Sequence, residues 1–229
     1  MPRILVLNPN GNPAVTDGVD SALDDLRRAM GATIDVAGLT GTPFGIESQR
    51  DVDAVAGPVA RYVADHEDAY DAFVIACFSD PGLHGAREAT RKPVLGIASS
   101  GLSTALALGE AVGVISIGSG SLPRHQRLYR AMGVASRVRA DLPIGASVAD
   151  LADGSGERDG MQEAMAQVGR RLVTGHACDV LVLGCAGMAR YRAPLEAALG
   201  VRVIDPTQAA TGMAITAAAW GLGASRGTA

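Results

Sequence analysis

The chain has 229 residues, of which 48% are hydrophobic, 19% charged and 3% aromatic, with a formal net charge of −4. This length holds one large α/β domain or two lobes of roughly 100 residues each, and the composition is that of an Ala- and Gly-rich globular protein, not a disordered or fibrous one. Basic residues are scattered, with no Lys/Arg stripe interleaved with aromatics, so nucleic acid is not an expected partner and a small molecule is.

Arg3–Asn8 reads as a short apolar strand, without the apolar core of about 7 to 15 residues that marks a signal peptide, which fits a cytoplasmic protein. It runs into Asn8-Pro9-Asn10-Gly11, residue types that serve either an ordinary turn or a ligand. A helix is expected over Thr16–Ala29, with Val19, Leu23 and Leu26 at helical spacing, then a strand at Thr33–Gly38. A second helix is expected over Asp51–Asp65, with Val52, Val55, Val59 and Val63. Strand Ala72–Ala76 stops at Cys77, strand Val94–Ile97 follows, and Ser99–Leu108 would cross to the other half. There, strands at Gly113–Gly118, Arg137–Ala140, Val180–Gly184 and Val201–Asp205 alternate with helices at Pro123–Ala131, Asp159–Thr174 and Tyr191–Leu199. Leu142–Glu157, rich in Gly, Ser and Asp, reads as a long loop. A last helix, Pro206–Leu222, would cross back. The longest apolar stretch, Gly212–Gly223, falls short of the roughly 20 residues a membrane span needs, so no membrane association is expected.

The two halves repeat. DAFVIACFSDPGL at 71–83 and DVLVLGCAGM at 179–188 place Cys77 and Cys185 108 residues apart at equivalent strand ends; RILVLNPNG at 3–11 parallels GVISIGSGS at 113–121, and PVLGIASS at 93–100 parallels VRVIDPTQ at 201–208. Strand–helix alternation implies parallel sheets flanked by helices. The expected fold is therefore α/β with two pseudo-symmetric lobes, residues 1–98 plus 207–229 and residues 99–206, and the active site in the cleft between them, outside the carboxyl ends of the strands.

A thiol on either side of one ligand suits the transfer of a proton from one face of a carbon to the other. A free thiol is only about 3% ionised at pH 7. Ser79-Asp80-Pro81-Gly82 after Cys77 and Ala186-Gly187-Met188 after Cys185 read as helix starts whose amides would favour thiolate and hold an enolate oxygen. A single Cys at a strand end is more often core; two at matched positions of a repeat shift the balance to chemistry. Cys178 lies outside the repeat and reads as core, and the three cysteines read as reduced thiols. Gly118-Ser119-Gly120-Ser121 reads as a small hydrogen-bonding loop, not a dinucleotide site. His66, His84, His125 and His176 lack metal-ligand spacing and read as surface or helix-end residues, with His84 near enough in sequence to tune Cys77; no metal site is expected.

On LNPNG, ACFSDPGLHGARE (76–88), PVLGIASS, VRADLP (138–143), VLGCAGMA (182–189) and GVRVIDPTQAA (200–210), the chain resembles the aspartate/glutamate/hydantoin racemase superfamily, and within it the hydantoin and allantoin racemases. The resemblance implies cofactor-independent racemisation with Cys77 and Cys185 as the acid/base pair. It also implies a substrate pocket drawn from Asn8, Asn10, Phe78, Ser79, Ser119, Ala186, Gly187 and Met188, and a homo-oligomer. Gly11-Asn12 and Asp205-Pro206-Thr207 depart from the hydantoin racemase pattern. An amino-acid racemase, a maleate isomerase or arylmalonate decarboxylase of the same superfamily, and a two-lobed binding protein with buried thiols are the alternatives.

Overall fold

Each half of the chain builds the same four-stranded parallel sheet. The computed structural model describes residues 1–152 and 158–223. In the first half, β1 (Arg3–Asn8), β2 (Thr33–Gly38), β3 (Ala72–Ile75) and β4 (Val94–Gly96) lie in the order β2-β1-β3-β4. In the second, β5 (Val112–Ser116), β6 (Val138–Pro143), β7 (Val180–Leu183) and β8 (Arg202–Ile204) lie in the order β6-β5-β7-β8, and every pair is parallel. Every residue of β3, β5 and β7 is buried. Strands buried on both faces need helical cover on both sides, and parallel neighbours need crossovers long enough to supply it.

The helices are α1 (Pro13–Ala22), α2 (Asp24–Met30), α3 (Gln49–Asp65), α4 (Leu83–Ala89), α5 (Ile97–Leu108), α6 (Leu122–Ala131), α7 (Val148–Ala152), α8 (Arg158–His176), α9 (Arg192–Leu199) and α10 (Pro206–Ala219). The helix expected over Thr16–Ala29 is two. Asn12 starts α1 early by accepting the Ala14 N–H at 3.0 Å, with Pro13 in the first turn. The chain then leaves helical geometry at Leu23 (φ −96°, ψ −1°), which is wholly buried, before Asp24 and Asp25 open α2. α3 starts two residues before Asp51 because Ser48 and Asp51 cap each other reciprocally. The segment read as a long loop extends β6 to Pro143 and contains α7; residues 153–157 lie outside the described residues. α4 follows the helix start expected after Cys77, with Gly82 at its cap and Leu83 as its first residue.

Two helices change sides. Ala98, Leu102 and Ala105 of α5 pack with Val112, Val114, Val180 and Val182 of the second sheet, whereas Ala210, Ala214 and Ile215 of α10 pack with Ile4, Val6, Ala72 and Val74 of the first. The two helices meet where Gly101 faces Pro206; a Cβ at 101 would stand 2.7 Å from the Pro206 Cβ, so only glycine lets them approach this closely. No helix among the described residues is long and apolar enough to cross a membrane.

Candidate active site

In each sheet the strand order reverses direction between the two central strands, and the crevice outside their carboxyl ends is where such sheets bind ligands. The segments leaving those ends are Pro9–Asn12 and Ala76–Pro81 in the first half, and Ile117–Ser121 and Gly184–Gly187 in the second. They meet around one cavity of about 130 Å³. Cys77 and Cys185 both line it, as do Asn10, Phe78, Ser79 and Ala186 of the residues expected from sequence.

Asn8, Ser119, Gly187 and Met188 do not line it. Asn8 is wholly buried and donates to Asn10 Oδ1 and Thr16 Oγ1, both at 3.0 Å, while its own Oδ1 accepts the Asn10 N–H at 3.2 Å. It builds the turn that presents Asn10. Ser119 opens a 3-10 turn whose neighbours Gly118, Gly120 and Ser121 face the cavity instead. Gly187 donates its N–H to Cys185 Sγ at 3.4 Å. Met188 lies in the second core with Leu151 and Leu195.

The turn holding Cys77 is tied down by Asp80, which adopts left-handed φ (44°) and donates its N–H to the Cys77 carbonyl at 3.0 Å. The Asp80 carboxylate is buried and accepts the Ala98 and Ser99 N–H groups at 2.9 Å each, fastening this turn to the start of α5. Cys185 begins the 3-10 helix Ala186–Tyr191. Burial pushes Cys77 up to about 12 and Cys185 up to about 11. The Ser79 amide and the Arg124 guanidinium pull Cys77 down, and the Gly187 amide pulls Cys185 down, but removal from water outweighs them. The amides favour thiolate, as expected from the sequence, but by less than burial opposes it.

Sequence reading missed Val15, Ile46, Glu47, Arg124, Ala146 and Val148 of the lining, all on loops or helix starts brought in by tertiary packing. It also misplaced His125. This residue is 2% exposed, lines the cavity, meets Phe78 edge-on at 5.0 Å, and has Nδ1 2.8 Å from Asp141 Oδ2 and 3.3 Å from Ser116 Oγ. Tyr129, four residues on along α6, donates its hydroxyl to the same Asp141 oxygen at 2.7 Å. That i, i+4 pair facing the Asp of VRADLP was the available signal for its burial, though not for its place at the cavity. Glu47 Oε1 accepts the Val148 N–H at 2.8 Å beside the cavity, and Arg127 donates to Gln49 at 2.6 Å, so side-chain bonds join the lobes here. Among the described residues no group of three or more His, Cys, Asp or Glu is arranged to hold a metal ion.

The family model for Asp/Glu/Hydantoin racemase matches residues 4–214. A hydantoin racemase of Pseudomonas sp. (strain NS671) is 36% identical over 208 residues, covering 89% of this chain and 80% of that one. A hydantoin racemase of Paenarthrobacter aurescens is 33% identical, covering 96% and 92%. The solved allantoin racemase from Klebsiella pneumoniae superposes with a TM-score of 0.93 at 30% identity, over 100% of this chain and 92% of that one. With the fold, the repeat and these relatives in agreement, the chain belongs to the Asp/Glu/hydantoin racemase family and is a racemase.

Proposed function

We propose that the protein inverts the C5 centre of a 5-substituted hydantoin or a related ureide such as allantoin, with Cys77 and Cys185 as the two acid/base groups. The observation that carries this reading is the delivery of two thiols, from equivalent strand ends of two like lobes, to one cavity. In the reactive state one cysteine is thiolate and the other thiol. The thiolate takes the C5 proton, the electron pair left behind delocalises onto the adjacent carbonyl oxygen, and the opposite thiol returns its proton to the other face of C5. The pair ends with its protonation exchanged, poised for the opposite enantiomer. Backbone N–H groups of the turns after each cysteine and the Asn10 side chain would hold the developing oxyanion, which preorganised donors stabilise more than water does. A desolvated thiolate is also the stronger base, suited to a carbon acid. Similarity to hydantoin and allantoin racemases supports the substrate class.

Proton NMR in D₂O on each enantiomer of 5-benzylhydantoin, 5-isopropylhydantoin and allantoin, alongside free aspartate and glutamate, tests this. Wild type is expected to exchange C5–H and abolish optical rotation. Cys77→Ser and Cys185→Ser are each expected to lower kcat/KM for inversion by about 100-fold or more, the contribution of a positioned acid or base. Exchange of the free amino acids alone would move the substrate class, and inversion surviving either substitution would overturn the two-thiol mechanism.

A further inference from the structure

Arg124, in the first turn of α6, faces the cavity that holds both thiols and also an adjoining cavity of about 230 Å³, which shares Phe78 and Ser79 with the first and adds Gln49 and Arg127. Its guanidinium is engaged on one side only. Nη1 donates to the Gly120 carbonyl at 2.9 Å, whereas Nε is buried without a partner and Nη2 makes no hydrogen bond among the described residues. A buried donor left unmade is costly and is rarely kept without a reason. Arg124 lines both cavities, and its Nε–Nη2 edge carries two parallel N–H groups, the fork that matches both oxygens of one carboxylate. The N-terminal end of α6 adds partial positive charge beside it, since Gly120 and Ser121 line the same wall. Glu47 also lines the cavity, its Oε1 accepting the Val148 N–H, and its charge and that of Asp51 offset part of the Arg124 charge.

We infer that this racemase takes a cyclic ureide whose C5 substituent ends in a carboxylate, with Arg124 gripping that carboxylate while the ring lies between the thiols. For the ring, the inference rests on the function proposed above. It also identifies Arg124 as a residue that sets specificity, distinct from the proton-transfer pair.

Calorimetric titration with hydantoin-5-acetate, its neutral isostere hydantoin-5-acetamide and free L-aspartate, on wild type, Arg124→Gln and Arg124→Lys, separates the possibilities. Wild type is expected to bind the acetate roughly 10- to 100-fold more tightly than the acetamide. Arg124→Gln should erase that preference, and Arg124→Lys, a point charge without the fork, should restore part of it. Equal affinities for acetate and acetamide in wild type, an equal loss for both in Arg124→Gln, or binding of neither would overturn the proposal. Tighter Arg124-dependent binding of aspartate than of the ring acid would overturn its ring assignment. The same samples in D₂O keep the two readings apart: Arg124-dependent binding without C5–H exchange would leave the anion site standing and remove the racemase reading on ureides.

Discussion

Removing the Asp80 carboxylate is expected to loosen the turn that holds Cys77, and Gly96 offers an independent way to do the same thing. Asp80 accepts two amides, from Ala98, which is wholly buried, and Ser99, which is half-buried. Each buried N–H left unsatisfied costs ~1–3 kcal/mol. Burial holds the Asp80 carboxyl above its ordinary value, so deleting it relieves part of that cost, and Asp80→Ala should destabilise by a net ~2–4 kcal/mol. A Cβ at residue 96 would stand 2.1 Å from the Asp80 Cγ, so Gly96→Ala must expel the carboxylate and should cost a similar amount. Because both substitutions break one contact, the double variant should fall short of the sum by ~1 kcal/mol or more, where independent sites add within ~0.5 kcal/mol. Urea denaturation of the four proteins measures this cycle, and kcat/KM should fall with stability by about 10- to 100-fold as Cys77 loses its placement. Additive losses, or a loss below ~1 kcal/mol for Asp80→Ala, would refute the assignment of Asp80 as the fastener of this turn.

Two further outcomes follow from burial. With Cys77 at about 12 and Cys185 at about 11 in the free enzyme, the one-thiolate form becomes about tenfold more abundant for each pH unit. Hence kcat/KM should rise with near-unit logarithmic slope between about pH 6.5 and 8.5, and a plateau beginning below pH 8 would show that one thiol ionises far more readily than its surroundings dictate. Asp205 caps α10 through the Gln208 N–H at 2.7 Å, but its other oxygen is buried without a partner among the described residues, and burial raises its carboxyl to about 7. A raised carboxyl favours the protonated native state, so wild-type stability relative to Asp205→Asn should be greatest below about pH 4 and fall by ~1.4 kcal/mol per pH unit towards pH 7. Parallel stability curves for the two proteins from pH 4 to 8 would contradict this.

The amino-acid order alone determined a good deal: short apolar runs ending in turn residues, repeated at offsets of 108 to 110, carry the strands, and the repeat of Cys77 as Cys185 carries the pairing of the thiols. These are local signals, because a strand buried on both faces must be apolar throughout and a repeat places like residues at like strand ends. Boundaries set by side-chain caps were less legible, since the Ser48–Asp51 exchange and the Asn12 cap compete with turn readings of the same residues. Only the tertiary structure decided what surrounds the thiols. Arg124 and His125 sit side by side in an amphipathic helix whose local pattern says nothing of which residue will face a cavity, and it is the approach of Phe78 and of the Glu47 loop from the other half that encloses them. The same enclosure, by excluding water, pushes both thiols up although each keeps the backbone amide that its local sequence promises. Desolvation is a property of everything packed around a group, and no segment of the chain carries it alone.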